Sequence, residues 1–230
     1  RLILDNNSRI SLSNNDSGGT GGSDSLSANT FLGYLAGQDI ASGGVDNTYF
    51  GHKAGNNNAT GDDNVFIGSN AGKGSHGNSN SGNVGIGSDV LLSITDGIAN
   101  TVIGKSAGDA ITSADYNTFV GYYAGSTTVD ADKCVAIGGQ ALEAGNATQD
   151  GTVAIGWNAL QQLTSGAFNT AVGYQSGSAI SKGNYNSVSG YLALSTETVS
   201  DRSTAFGYKA LQDQIIGGGD NAISGNTAIG

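Results

Sequence analysis

The chain has no proline, no methionine and a single cysteine, Cys134, among its 230 residues. One cysteine cannot form an internal disulfide, so bridges do not hold the fold together, and the redox compartment is left open. Charge is also scarce: only 12% of residues carry it, with nine Lys and Arg against 19 Asp and Glu, for a formal net charge of −10. Phosphate binding requires a basic stripe, so nucleic acid is not an expected partner. No apolar run approaches the roughly 18 residues that a membrane-spanning helix needs, and membrane insertion is not expected either. No signal-peptide pattern is read ahead of the repeats in these residues, an absence that means little here. The sequence opens on Arg1 and stops at Gly230 inside a repeat, which reads as a piece of something longer.

What the chain has in quantity is glycine, 39 residues, with much Asn, Ser and Thr. Without a triplet period this composition is not collagen, and the recurrent Val, Ile, Leu and Phe argue against a disordered chain. Repetitive β structure is the remaining class.

Alignment on one glycine exposes the repeat: Gly33, Gly51, Gly68, Gly87, Gly104, Gly121, Gly138, Gly156, Gly173, Gly190, Gly207 and Gly230. The modal spacing is 17 residues, and the longer intervals place extra residues in loops, most of all in the last interval around Ile215 to Asp220. The residue before the glycine is apolar in every repeat except at Ser189, and the residue three before is Thr, Val or Ser. In a strand these two positions share a face, which is expected to be the interior. Four before the glycine stands Asn in nine repeats. Stacked amides could form a hydrogen-bonded ladder, or the Asn could end the preceding turn, and both readings stay open.

The position two before the glycine should be polar if its face met water, yet it reads Phe31, Tyr49, Phe66, Gly85, Val102, Phe119, Ala136, Ala154, Ala171, Val188, Ala205 and Ala228. A strand apolar on both faces is buried on both, so this face is expected to meet another copy of the chain. Its size trades against the position four after the glycine. Phe31, Tyr49, Phe66 and Phe119 go with Gly37, Gly55, Gly72 and Gly125, whereas Gly85, Ala136, Ala154 and Ala205 go with Leu91, Leu142, Leu160 and Leu211. Constant summed volume predicts spatial neighbours. Ala171 with Gly177 and Val188 with Leu194 depart from the rule.

Three after the glycine, Ala recurs, which suggests a tight corner. Apolar residues seven or eight after it, namely Ile40, Ile94, Ile111, Val129, Leu163, Ile180 and Ile215, suggest a second strand before a polar turn. The expected fold is therefore all-β, a parallel β-solenoid or β-roll of 11 to 12 coils with about 17 residues each. Residues 29–230 form the tandem-repeat solenoid, and residues 1–28 a capping or connecting segment.

Val135 to Gly138 and Val153 to Gly156, both Val-Ala-Ile-Gly, resemble the repeat core of trimeric autotransporter adhesin heads, which are left-handed β-rolls joined as trimers with shorter coils. Residues 2–18 (LILDNNSRISLSNNDSG), with NTFLGYLAG at 29–37, NTFVGYYAG at 117–125 and NTAVGYQSG at 169–177, are similar in wording to repeat regions of tail fibres from phages of marine bacteria. That resemblance implies a homotrimeric fibre on a virion, with other virion proteins and a host surface glycan or protein as partners. A bacterial surface adhesin head is the alternative.

Catalytic chemistry would need a constellation that does not repeat, and none is found; the chain is not expected to be an enzyme, to hold a metal or to use a cofactor. His52 and His76 have no fixed relation to a nucleophile. The pairs Asp62 with Asp63 and Asp130 with Asp132 lack glycosidase or EF-hand context and read as solvated turn residues. The Gly18 to Asp24 segment is one residue out of register for a calcium nonapeptide, and no P-loop spacing occurs. Cys134 reads as a packed thiol. The surface candidate is an aromatic ladder just after the glycine, Trp157, Tyr174, Tyr191 and Tyr208, suited to subunit packing or to saccharide stacking, with packing preferred. A glycan depolymerase is a less favoured reading. So is an ice-binding solenoid, because the Thr column shares its face with the expected core.

Overall fold

A computed structural model describes residues 28–41, 43–144, 150–214 and 225–230. The segment assigned to capping, apart from Ala28, and Ile215 lie outside the described residues.

Every repeat contributes one strand of three residues that ends just before the repeat glycine, from Thr30–Leu32 to Thr227–Ile229. The twelve strands form one parallel sheet in chain order. Their register sets equivalent repeat positions side by side: Thr101 opposite Thr118, Val102 opposite Phe119, Ile103 opposite Val120. The architecture is an all-β parallel solenoid of about ten turns, each about 17 residues long.

Two strands per coil were expected, and the described coils carry one. The second half of a coil bonds to its neighbour without strand geometry, as when the Gly108 N–H donates to the Ala124 carbonyl and the Ala110 N–H to the Ser126 carbonyl, both at 3.0 Å. The reason lies in the backbone. The residues two and four after the glycine are left-handed, with φ of 52° at Ser106 and 53° at Gly108, so the chain turns too tightly to run extended. Its amides nonetheless point along the stacking axis.

The interior is the opposite face from the one expected. The middle residue of the strand is the buried one, whereas its two neighbours are turned outward, as in Thr48, Tyr49 and Phe50. Tyr49, Phe66, Val102 and Phe119 are fully buried. Period-two alternation separates two faces without saying which is inside; that was decided by volume. The predicted size exchange is real: a Cβ at Gly125 would lie 2.5 Å from Cδ2 of Phe119, and one at Gly37 2.6 Å from Cε2 of Phe31. Where the strand residue is small, Leu91, Leu142 and Leu160 fill the space from the other side, and Leu194 does so beside the larger Val188, all fully buried. These leucines hold φ between 47° and 54°, a conformation that costs a residue with a Cβ roughly 1–2 kcal/mol, which the roughly 1.5–3 kcal/mol of side-chain burial offsets. The exception at Ala171 and Gly177 is filled by neighbours, since a Cβ on Gly177 would meet Leu160 at 2.9 Å and Ile180 at 3.0 Å.

The repeat glycine combines a positive φ with the close approach of the next coil's backbone. At Gly104 φ is 137°, and a Cβ there would lie 2.7 Å from the carbonyl carbon of Gly121 in the next coil. The Asn column also satisfies both of its readings. Oδ1 of Asn83 accepts the backbone N–H and the side-chain Nδ2 of Asn100, each at 3.0 Å, while Nδ2 of Asn100 also donates to the Ala114 carbonyl at 2.8 Å. The amides thus stack as a ladder and tie down the turn ahead of the next strand.

Seven after the glycine, Ile94, Ile111, Leu163 and Ile180 complete the core. At the coil of Gly121 the buried residue is Thr128, with Val129 only half buried, because this column lies seven, not eight, after the glycine. Asn58 fills it in the coil of Gly51, where its Nδ2 donates to the Tyr49 hydroxyl at 2.7 Å. Burial pushes the Tyr49 phenol well above its ordinary pKa, so the hydroxyl stays protonated and pairs with the amide.

Candidate functional site

The outward face of the sheet is built by the columns one and three before the glycine. Phe50 is 54% exposed, Phe206 59% and Leu32 48%, and Ile67, Ile86, Ile103 and Ile137 are exposed in the same column. Beside them run Thr48, Thr101, Thr170 and Thr204, also exposed. Neither column contains a charged residue. At 4.7–4.9 Å per parallel strand, twelve strands give a strip about 50 Å long. With a width of about 10 Å the strip approaches 500 Å², near the top of what a soluble monomer leaves uncovered.

The Thr column was expected inside, and it points out. Its outward direction removes the ground on which ice binding was set aside.

Aromatic columns flank the strip on both sides. Just after the glycine, Tyr174 stacks on Tyr191 with ring centroids 5.3 Å apart, and Tyr191 on Tyr208 at 5.4 Å, with planes within 12°. Trp157 belongs to the same column, is exposed, and leans over Gly139, where a Cβ would lie 2.7 Å from its Cε3. Among the described residues Tyr34 and His52 form a second stacked pair of this column at 5.7 Å. The ring faces are occupied by one another, so the ladder presents ring edges and hydroxyls to solvent.

The second flank, five before the glycine, was missed by sequence reasoning. It holds the exposed Tyr116, Phe168 and Tyr185, with Phe168 and Tyr185 stacked at 5.5 Å. The column is left-handed throughout its non-glycine members, from Asp46 at 57° to Arg202 at 57°. The signal was a shared parity with the strip, obscured because its residue types vary.

Acidic residues six before the glycine were also missed as a column. Oδ1 of Asp62 accepts the Val45 N–H at 2.8 Å, Asp115 the Ile98 N–H at 2.7 Å, and Asp132 the Asp115 N–H at 2.7 Å. Each carboxylate staples one coil to the previous one. Asp130 accepts the hydroxyls of Thr112 and Ser113 at 3.0 and 2.9 Å, and Asp63 is exposed. The two acidic pairs are therefore divided between stapling and solvent, with no pair converging on a common point.

His76 pairs with Asp39 through Nδ1 and Oδ2 at 2.6 Å, and His52 stacks on Tyr34, so the structure does not bring the two histidines together. Cys134 is buried, its backbone N–H taking the Asn117 Oδ1 at 2.9 Å in place of a ladder Asn. Burial pushes its thiol up to about 11, which keeps it protonated and unreactive at neutral pH. Among the described residues no group of three or more His, Cys, Asp and Glu is placed to hold a metal ion, and no helix is long and apolar enough to cross a membrane.

No family model, curated protein or solved structure matches the chain.

Proposed function

We propose that this chain is a structural and adhesive fibre shaft, part of a phage tail fibre that contacts the host cell surface, and that it assembles as a homotrimer through the outward face of its sheet. The uncharged apolar strip running the length of the solenoid carries this reading. Covering it removes Ile, Phe and Val side chains from water at roughly 25 cal/mol per Å². A repeat stack bonded coil to coil suits a rod whose work is length and rigidity. On this reading the shaft has no catalytic residues and no cofactor, its further partners are virion proteins and a host surface glycan or protein, and its location is the virion. A bacterial trimeric surface adhesin head would use the same physics, and the domains flanking the repeats in the full-length gene distinguish the two.

The test is the mass in solution by light scattering. Three chains of 22.9 kDa give about 69 kDa, and a well-folded monomer would overturn the assembly.

A second reading, ice binding, is favoured by the outward Thr column. Against it stand the bulky Phe50 and Phe206 in the neighbouring column, which interrupt a flat hydroxyl array. Thermal hysteresis by a folded monomer would establish it over the fibre.

A further inference from the structure

In five coils the two flanking columns carry side chains that match. Wherever the column five before the glycine is aromatic, the column one after it is aromatic in the same coil: Tyr116 with Tyr122, Phe168 with Tyr174, Tyr185 with Tyr191. Two charged positions follow suit. Asp46 shares its coil with His52, and Arg202 shares its coil with Tyr208, a carboxylate with an imidazole and a guanidinium with a phenol hydroxyl. Where the later column carries its largest residue, Trp157, the earlier one carries Gly151.

Among the described residues no ring contact within one chain joins the two columns. The two columns lie on opposite flanks of the strip, and the aromatic stacking among the described residues runs along each column, Phe168 to Tyr185 and Tyr174 to Tyr191, with no pair between columns. All of these residues have solvent-facing side chains, with Tyr185 at 56% and Tyr191 at 45%.

We infer that the ring column after the glycine in one copy docks against the column five before the glycine in a neighbouring copy, with all copies parallel and every coil level with its equivalent. This rests on the assembly proposed above and specifies its contacts. Copies related by rotation about the fibre axis bring one flank of each against the opposite flank of the next. Level stacking then sets Tyr174 beside Phe168 of the neighbouring copy, Tyr191 beside Tyr185, and His52 beside Asp46. Antiparallel copies would pair coils from opposite ends, and the coil-by-coil matching would have no consequence. Ring edges and hydroxyls left free by the ladders pack across the seam, the Tyr208 hydroxyl accepting from the Arg202 guanidinium, and the strip of Thr, Ile and Phe is closed inside.

Cysteine cross-linking tests the pairing. The double variant Phe168→Cys/Tyr174→Cys is oxidised with diamide and run on a denaturing gel without reductant, while light scattering records the mass of the same sample before oxidation. Expected are chains linked in a ladder ending at the trimer. Either single variant should give almost no linked chains, and Phe168→Cys/Tyr208→Cys, two coils out of level, should link at least tenfold less. An oligomer whose chains stay unlinked in the level pair, or link equally in the shifted one, overturns this inference and leaves the assembly standing. A folded monomer by light scattering overturns both. If the first pair fails to fold by circular dichroism, Tyr116→Cys/Tyr122→Cys carries the same expectation in another coil.

Discussion

Exchanging the partners of one size-compensated pair tests the account of the core most directly. Phe119 and Gly125 share a site that Ala136 and Leu142 fill in the next coil. Phe119→Ala alone removes a fully buried ring, at a cost of about 3–5 kcal/mol. Gly125→Leu alone places a Cβ 2.5 Å from Cδ2 and 2.8 Å from Cζ of Phe119. Overpacking of that kind costs about 1–3 kcal/mol, and φ of 59° at residue 125 adds roughly 1–2 kcal/mol of backbone strain. Independent sites would sum to about 5–10 kcal/mol. The double variant recreates the Ala136 and Leu142 arrangement, so its remaining cost is the backbone strain plus the smaller apolar area of Leu, about 2–3 kcal/mol. A favourable coupling of about 3 kcal/mol or more is therefore expected from urea unfolding of the four proteins. Additivity within about 0.5 kcal/mol, the behaviour of distant sites, would refute the shared-site argument.

Gly104→Ala should destabilise by more than about 3 kcal/mol in the same unfolding assay, because the new methyl meets the Gly121 backbone and φ of 137° is closed to Ala. Asn100→Ala leaves the buried N–H of Asn117 without its acceptor, so a loss of about 2–4 kcal/mol is expected, with faster hydrogen exchange at that amide. Ile103→Glu, which adds a charge to the outward strip, should leave the monomer folded and lower the assembled fraction at least tenfold by sedimentation, with little change in the circular dichroism of the coil. The Cys134 thiol is raised from 9.0 to about 11 in the fold, so the folded state holds its proton longer. Stability from this group is intact below pH 9 and falls as pH rises from 9 to 11, by about 3 kcal/mol at most. Cys134→Ala should lose that segment of the pH profile relative to the natural chain, and a thiol reagent at pH 8 should label Cys134 only after unfolding.

The sequence made the solenoid legible because one glycine had to repeat: a backbone held at φ near 140° against the next coil allows no substitute. The Asn column was legible for a similar reason, since its amide serves two partners that a shorter side chain cannot reach together. The inside of the coil was not read correctly. Alternation of Thr, Phe and Leu at residues 30 to 32 is symmetric with respect to the two faces, and both faces carry apolar residues. The deciding fact was already present in the exchange of Phe for Leu across Phe119 with Gly125 and Ala136 with Leu142. An open face has no fixed volume to conserve, so compensation of size marks an enclosed space. Thr128 in place of Val129 was hidden because a single polar residue in the core column looks like a turn residue. The aspartate staples were hidden because Ser81 and Ile98 stand between Asp62 and Asp115 in their column.

The reversal of faces changes what the partner surface asks of a second copy. The aromatic column first expected to meet a partner closes on the chain's own leucines and glycines, and it needs no second copy to be dry. What remains outside is flatter and chemically plainer: Thr and Val beside Ile and Phe, uncharged from end to end. Such a strip attracts another apolar surface but specifies no alignment along its length, because Ile67, Ile86 and Ile103 offer nearly the same contact after a slip of one coil. Register is therefore a separate requirement, and residues that differ from coil to coil must supply it. The flanks are where this chain varies, with Asp46, Tyr116, Phe168 and Arg202 on one side and His52, Tyr122, Tyr174 and Tyr208 on the other. A slip of one coil would set Tyr122 against Lys133 or Ala99 and part Tyr208 from the Arg202 cation in exchange for Tyr185, so the charged contact and the Tyr116 ring match are lost. Burial in the centre thus provides the driving force, and the edges provide the alignment.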